Sequence, residues 1–369
     1  MDKISFDITG LEKKLYFNFI KQEFSGLGFL ASVLDDKNII EVNCAGAELP
    51  ITVYHIKYGL IPTNLKFEKI SQLNLFVLSI TKVMGIRVNS AHPIISGYLP
   101  NGYKVEGLYS VGDTSNKGSS FLIKKYLEEP LTPNSLINLG IGTTDLFSYI
   151  WCALDQEYQI IITGGDAVLL INSIAQFYPN KKIVSVQSYD YFKFPQKNWI
   201  KRIINDESVV NKKILLSQSL SERPDYLIVD DFSRDLFDLK WYDINLTFVN
   251  TDILPEYLDK IKSIGINAIV IHLDRIKSKD FEQTQISKIT EIEKGKEQLI
   301  IDYNKDENVF HINLIPSNIN VVNFYRKQKL LRWILDADIS DYLDFNNIIN
   351  DYNLDNKKLF NKLNIIEKE

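Results

Sequence analysis

The sequence predicts an α/β protein: an N-terminal α/β domain, then a parallel-sheet domain, then a helical segment. Three observations carry this expectation. From about residue 136, short apolar runs at 160–163, 183–186, 226–229, 246–249 and 268–272 alternate with helical stretches. Short buried strands joined by helices argue a parallel, doubly wound sheet. Upstream of Pro130 and Pro133 the chain is instead rich in strand and hairpin signals, so these prolines mark the boundary. Downstream, 323–362 is charged and helical, with an apolar stripe through Leu330, Leu331, Trp333 and Ile334. The expected divisions are 1–134, 135–322 and 323–369.

Within the first domain, 11–27 places Leu15, Phe17, Phe19, Ile20 and Phe24 at helical spacing and reads as an amphipathic helix. Strands follow at 39–42 and 51–56, and Tyr58-Gly59-Leu60-Ile61-Pro62-Thr63-Asn64 closes a hairpin. The stretch 67–84 is predicted helical and ended by Gly85. Leu99-Pro100-Asn101-Gly102 is a tight-turn signal between strands 94–98 and 103–109, and 119–126 is a further strand. In the second domain, 135–154 reads as largely helical and 167–178 as the helix joining the first two buried strands. No internal repeat or low-complexity linker is visible.

A chain of 369 residues, 45% hydrophobic, can bury the cores of two domains. Its formal net charge of −5 argues against a generally nucleic-acid-binding surface. The pairs Lys181-Lys182 and Lys201-Arg202 are too short to change that and read as solvated faces. Cys44 and Cys152 have no metal or redox spacing and read as buried small apolar residues. His55, His92, His272 and His311 show no zincin spacing. The start Met1-Asp2-Lys3-Ile4-Ser5 lacks an apolar core of signal-peptide type, and no run approaches the ~18 apolar residues of a membrane span. A soluble cytoplasmic protein without a transmembrane segment is expected.

The most informative stretch is Ile160-Ile161-Ile162-Thr163-Gly164-Gly165-Asp166-Ala167-Val168. It has the lead-in of a phosphate-binding P-loop, an apolar strand running into glycines, without the loop itself. A working P-loop ends in Gly-Lys-Ser/Thr: backbone N–H groups cradle the phosphates, the Lys reaches the β/γ-phosphates, and the hydroxyl binds Mg²⁺. Here the glycines run into Asp166 and an apolar stretch, and no Lys follows before Lys181.

Other segments place this loop in a family pattern. They are Glu41-Val42-Asn43-Cys44-Ala45-Gly46 leading to 53–64, then Ala91-His92-Pro93-Ile94, Leu99-Pro100-Asn101-Gly102 and Phe121-Leu122-Ile123-Lys124-Lys125-Tyr126. Tyr325-Arg326-Lys327, Leu331-Arg332-Trp333-Ile334 and Ile339-Ser340-Asp341-Tyr342 complete the series. In this order they make the chain resemble the secretion-type traffic ATPases, the hexameric motors of type II and type IV secretion and type IV pili. The resemblance is closest to the archaeal branch that also drives archaellum assembly. It covers nearly the whole chain and implies a RecA-like second domain, with ATP normally bound between the two domains.

Box by box, the resemblance also shows what is missing. The family's P-loop falls at 164–172 and is shortened by about three residues. Asp166 is expected as the N-cap of the next helix, its carboxylate bonding the N–H groups a phosphate would use. The simpler reading, that Gly164-Gly165 is only a strand-to-helix turn, is the better one. The acidic box is replaced by Gln187-Ser188, which leaves no carboxylate pair to orient Mg²⁺ or a water. Arg223-Pro224-Asp225-Tyr226-Leu227-Ile228-Val229-Asp230-Asp231 looks like the Walker B strand, with Asp231 at the Glu position and Asp230 in place of Gly. Asp231 reads either as a residual Mg²⁺ carboxylate or as a solvated strand-end acid, and the missing Lys favours the second. In the His box, Asn250 replaces the His and cannot change charge near neutral pH. Lys124 and Tyr103-Lys104 stand near positions of phosphate-facing arginines, and Lys lacks their planar fork.

The expectation is therefore a catalytically silent member of this fold, with no catalytic residue and no metal site. Gly164, Gly165, Asp166, Gln187, Asp231, Asn250 and Lys124 are remnants of a nucleotide site, and ATP and Mg²⁺ binding is expected to be weak or absent. Such a chain would act as a scaffold or regulator, paired with an active secretion-ATPase paralogue, a membrane platform protein at the inner face of the cell membrane, or copies of itself in a homo-oligomer. The alternatives are a divergent ATPase with a non-standard phosphate loop, and a nucleotide or nucleic-acid sensor. The readable surface signatures carry Tyr54, Tyr58, Tyr325 and Trp333 as candidate contact aromatics, with core packing as the competing reading.

Overall fold

The computed structural model describes residues 27–110, 116–204, 212–230, 245–249, 255–277, 282–304, 309–312 and 320–365, so most of the predicted helix 11–27 lies outside the described residues. The chain divides into two units, Met1–Leu127 with Lys279–Glu282, and Glu128–Ser278 with Gln283–Glu369.

The first unit contains α1 (Leu30–Leu34), β1 (Ile39–Cys44), β2 (Thr52–His55), β3 (Gly59–Pro62), α2 (Ile70–Val83), β4 (Ile94–Tyr98), β5 (Lys104–Leu108) and β6 (Ser120–Lys124). Its six strands pair antiparallel in the order β3-β2-β1-β6-β5-β4. Alternation sets one face inward: in β6, Phe121 and Ile123 are buried and their neighbours are not. Leu73, Val77 and Ile80 recur at helical spacing on α2 and bury its inner face. They join a core with Val42, Phe67, Phe121 and Ile123. The β4–β5 turn is closed by the Gly102 N–H donating to the Leu99 carbonyl at 2.8 Å. Gly102 sits there at φ 90°, a region glycine enters without steric cost.

The second unit opens with α3 (Pro133–Asn138) and α4 (Thr144–Asp155). The stretch 135–154, expected to be largely helical, is so, in two helices. Gly140, at φ 77°, ends α3 through Gly140 N–H to Ile137 O and Ile141 N–H to Leu136 O. Thr143 then starts α4, its hydroxyl accepting from Leu146 N–H at 3.3 Å. Next come β7 (Gln159–Thr163), α5 (Ala167–Ile174) with a short 3₁₀ turn after it, β8 (Ile183–Gln187), β9 (Trp199–Ile203), α6 (Lys212–Ser221), β10 (Tyr226–Val229), β11 (Asn245–Val249), α7 (Pro255–Ile264) and β12 (Ala268–Lys277). The sheet continues through β13 (Glu282–Glu293), β14 (Lys296–Asn304) and β15 (Val309–Ile312).

This nine-stranded sheet has the order β15-β14-β13-β12-β7-β11-β10-β8-β9. From β12 to β9 the pairings are parallel, and β7, β8 and β10 are buried along their whole length, as sheets covered on both faces require. The expected parallel block is therefore present, but the sheet is mixed: β13–β14 and β14–β15 pair antiparallel. That extension escaped the sequence reading because its strands alternate polar and apolar residues, as in Glu282–Glu293, where Ile286, Ile289 and Ile292 are buried.

The helical segment belongs to the second unit: α8 (Val321–Asp336), α9 (Tyr342–Leu354) and α10 (Asn356–Lys362). Trp151 of α4 stacks on Phe177 with ring centroids 4.6 Å apart and meets Tyr352 of α9 at 5.0 Å. Lys327 of α8 is buried, with its ammonium 4.8 Å from the Trp151 ring and paired with Asp155. Cys44 and Cys152 are buried free thiols as expected, and burial raises both pKa values, that of Cys152 to about 11.

Candidate functional site at the end of β7

In the parallel block β7 lies between β11 and β12, while the chain leaving it crosses to β8, beyond β11 and β10. Neighbouring connections therefore diverge at β7, and the carboxyl ends of strands at such a switch point are where open α/β sheets bind ligands. There the Thr163 hydroxyl lies 2.7 Å from Nδ1 of His272 on β12. Burial, and next Lys288, lower the His272 pKa against an opposing contribution from Asp274. His272 is thereby biased toward the neutral imidazole.

The glycine pair turns the chain from β7 into α5. Gly164 adopts φ 105°, and a Cβ there would stand 2.0 Å from the Leu273 carbonyl oxygen. The turn is thus pressed against β12, and only glycine permits the approach. Gly165 differs: among the described residues beyond its chain neighbours, a Cβ there would meet no atom within 4 Å.

Asp166 occupies the N-cap position of α5 as expected, but its side chain makes no capping hydrogen bond. This corrects the expected capping role. Thr132, Thr143, Asn320, Asp341 and Asp355 cap their helices from extended backbones with ψ between 93° and 167°. Asp166 has φ −112° and ψ 23°, away from the extended geometry typical of a side-chain cap. Its carboxylate turns to the sheet instead. Nη2 and Nε of Arg275 on β12 donate to Oδ1 and Oδ2 at 3.2 and 3.3 Å, and the Thr284 hydroxyl on β13 donates to Oδ2. A two-pronged charged fork holds a carboxylate more strongly than neutral N–H donors do.

A second carboxylate closes the ends of β8 and β10. Asp230, 9% exposed, accepts from Ser188 N–H and from the Tyr191 hydroxyl, and Lys212 Nζ lies 3.8 Å from its Oδ1. Sequence reasoning noted Asp230 only as a replaced glycine and missed this function. An acid directly after a fully apolar strand was the available signal. Gln187 is buried, its Oε1 accepting from Phe192 N–H at 2.9 Å. Its Nε2 and Asp230 Oδ1 are buried and have no hydrogen-bond partner among the described residues.

Of the positions read from the sequence, Gly164, Gly165 and Asp166 share the β7 turn, and Gln187 lies at the end of β8. Asp231 and Asn250 lie outside the described residues. Lys124 ends β6 in the first unit, opposite Glu41 and Lys104. Among the contact aromatics, Tyr54 is 3% exposed and belongs to the core, Trp333 is half-buried, and Tyr58 and Tyr325 are 56% and 48% exposed. The described side chains of the β7 turn do not fit a polyphosphate. A carboxylate stands in the turn, no lysine follows the glycines, and the turn backbone is packed against Leu273. Among the described residues no group of three His, Cys, Asp or Glu is placed to hold a metal, and no helix is long and apolar enough to cross a membrane.

Comparison with known proteins adds sequence relatives. An uncharacterised protein of Methanocaldococcus jannaschii, MJ0900, is 31% identical over 232 residues, 61% of this chain and 42% of its own length. A second from that organism, MJ0781, is 26% identical over 220 residues, 30% of its length. The chain thus spans less than half of these relatives. A probable conjugal transfer protein TrbB of Sinorhizobium fredii is 22% identical over 210 residues, 55% of this chain and 62% of its own. Among solved structures, the VirB11 ATPase of the Brucella suis type IV secretion system, in complex with sulphate, aligns over 74% of this chain and 96% of its own at 14% identity and TM-score 0.33. The pilus retraction motor PilT with bound ADP aligns over 90% and 94% at 11% identity and TM-score 0.43. No known family profile matches the chain. By its motifs and its sequence relatives, the chain is similar to the traffic ATPases of secretion, conjugation and pilus machines.

Proposed function

We propose that this chain is a catalytically silent traffic-ATPase-like subunit that serves a secretion, pilus or DNA-transport machine as a scaffold or regulator. The observation that carries the reading is the β7 turn: where a phosphate loop would present lysine and free N–H groups, Asp166 is held by Arg275 and Thr284. Introducing a polyphosphate beside that carboxylate would set like charges together without a new cation. The proposed partners are an active paralogue in a mixed ring or a membrane platform protein, and no ATP or Mg²⁺ is required.

The reading is tested by setting Asp231→Ala against charge reversals on exposed residues of the C-terminal helices, Asp336→Lys and Lys358→Glu. Each variant is scored by pull-down and by secretion or pilus phenotype. A scaffold loses partner capture and phenotype with the reversals and tolerates Asp231→Ala. Loss of phenotype from Asp231→Ala in a folded protein, with the reversals silent, would point to a working active site.

A further inference from the structure

We propose that Arg275 and Thr284 form a latent oxyanion site that Asp166 fills from within the chain. The inference deepens the reading of the chain as silent and rests on it. Three donors converge on one carboxylate: two guanidinium N–H groups at 3.2 and 3.3 Å, and the Thr284 hydroxyl. A planar fork with a hydroxyl beside it is the donor set that binds two oxygens of a phosphate as readily as two of a carboxylate. The anion comes from the glycine turn, the place where the strand-to-helix connection of a P-loop carries its phosphates. Asp166 is the more enclosed partner, its side chain 10% exposed against 26% for Arg275.

Removing the internal anion leaves a half-buried guanidinium without this counter-charge, a state that favours uptake of an external anion. The ligand class is a tetrahedral oxyanion, and inorganic phosphate is the probe. Asp166 therefore does structurally what a bound phosphate would do: it ties the glycine turn to β12 and β13.

Chemical rescue tests this. The Tm of wild type, Asp166→Ala and Asp166→Ala/Arg275→Met is measured against inorganic phosphate, with chloride holding ionic strength constant. We expect Asp166→Ala to melt lower than wild type and to regain about 2–4 °C with millimolar phosphate, while wild type and the double variant do not respond. Asp166→Ser, whose short side chain also vacates the site, is the second variant should the alanine protein fail to fold, and the same phosphate response is expected. A response equal to that of wild type, or one that persists without Arg275, overturns the inference. Nucleotide binding by wild type would contradict the silent reading by itself, whereas a phosphate-blind Asp166 variant contradicts only the latent site.

Discussion

At the residue scale, the two adjacent glycines of the β7 turn have opposite tolerances. Gly164 combines φ 105° with a Cβ position 2.0 Å from the Leu273 carbonyl, whereas Gly165 faces open space. Gly164→Ala is expected to cost about 3 kcal/mol or more, through strain and overpacking. Gly165→Ala should change stability by no more than ~1 kcal/mol; urea denaturation of the two variants makes the comparison. Next to the turn, His272 gives a pH signature. Its pKa is lowered in the folded chain by burial and then by Lys288, so below the ordinary value of about 6.5 the unfolded chain binds the proton more readily. The stability tied to neutral His272 is complete above that pH and is lost as pH falls through the lowered folded value. His272→Gln should flatten this part of the stability profile; an unchanged slope would assign it to other groups. Residue chemistry was only partly legible in advance. The absence of a lysine between the glycines and Lys181 is written in the sequence, but the partner of Asp166 lies 109 positions away, and no local pattern joins Asp166 to Arg275.

At the element scale, the buried parallel strands were readable because each is a short, nearly uninterrupted apolar run, as in Tyr226–Val229. β13–β15 were not, because strands half-exposed in an antiparallel extension carry their signal as alternation mixed with charge. The split of α3 from α4 was signalled by Gly140 and Thr143, whose capping chemistry outweighed the continuous apolar pattern across them. The attachment of α8 to α4 centres on Lys327, buried over Trp151 and paired with Asp155, whose side chain is 52% exposed. Water can therefore take over Asp155 if the lysine is removed. Lys327→Met, which keeps the packed stem, is expected to cost less than ~1.5 kcal/mol. Lys327→Ala should cost about 2–3 kcal/mol from the cavity, and Trp151→Ala about 3–5 kcal/mol, since its ring is shared by Phe177 and Tyr352. Equal losses for the methionine and alanine variants would place the energy in the charge and not in the packing.

At the scale of the whole molecule, the second unit combines a parallel strand block, a glycine turn after β7 and C-terminal helices with carboxylates at the strand ends. Asp166 and Asp230 now spend their charge inside the chain, on Arg275 and Thr284 in one case and on Ser188, Tyr191 and Lys212 in the other. Both carboxylates tie strand ends to neighbouring turns and strands, so under the proposed silent reading the second unit should reach its full stability without a ligand. The fold class was legible because it depends on burial patterns repeated along the chain. The side-chain partners at the strand ends were not legible, because they are distant in sequence. The most direct test is titration calorimetry of the wild-type chain with ATP and Mg²⁺. We expect no binding tighter than about millimolar, roughly −4 kcal/mol. Micromolar binding with saturable heat would contradict a silent site and restore a working, unorthodox phosphate loop.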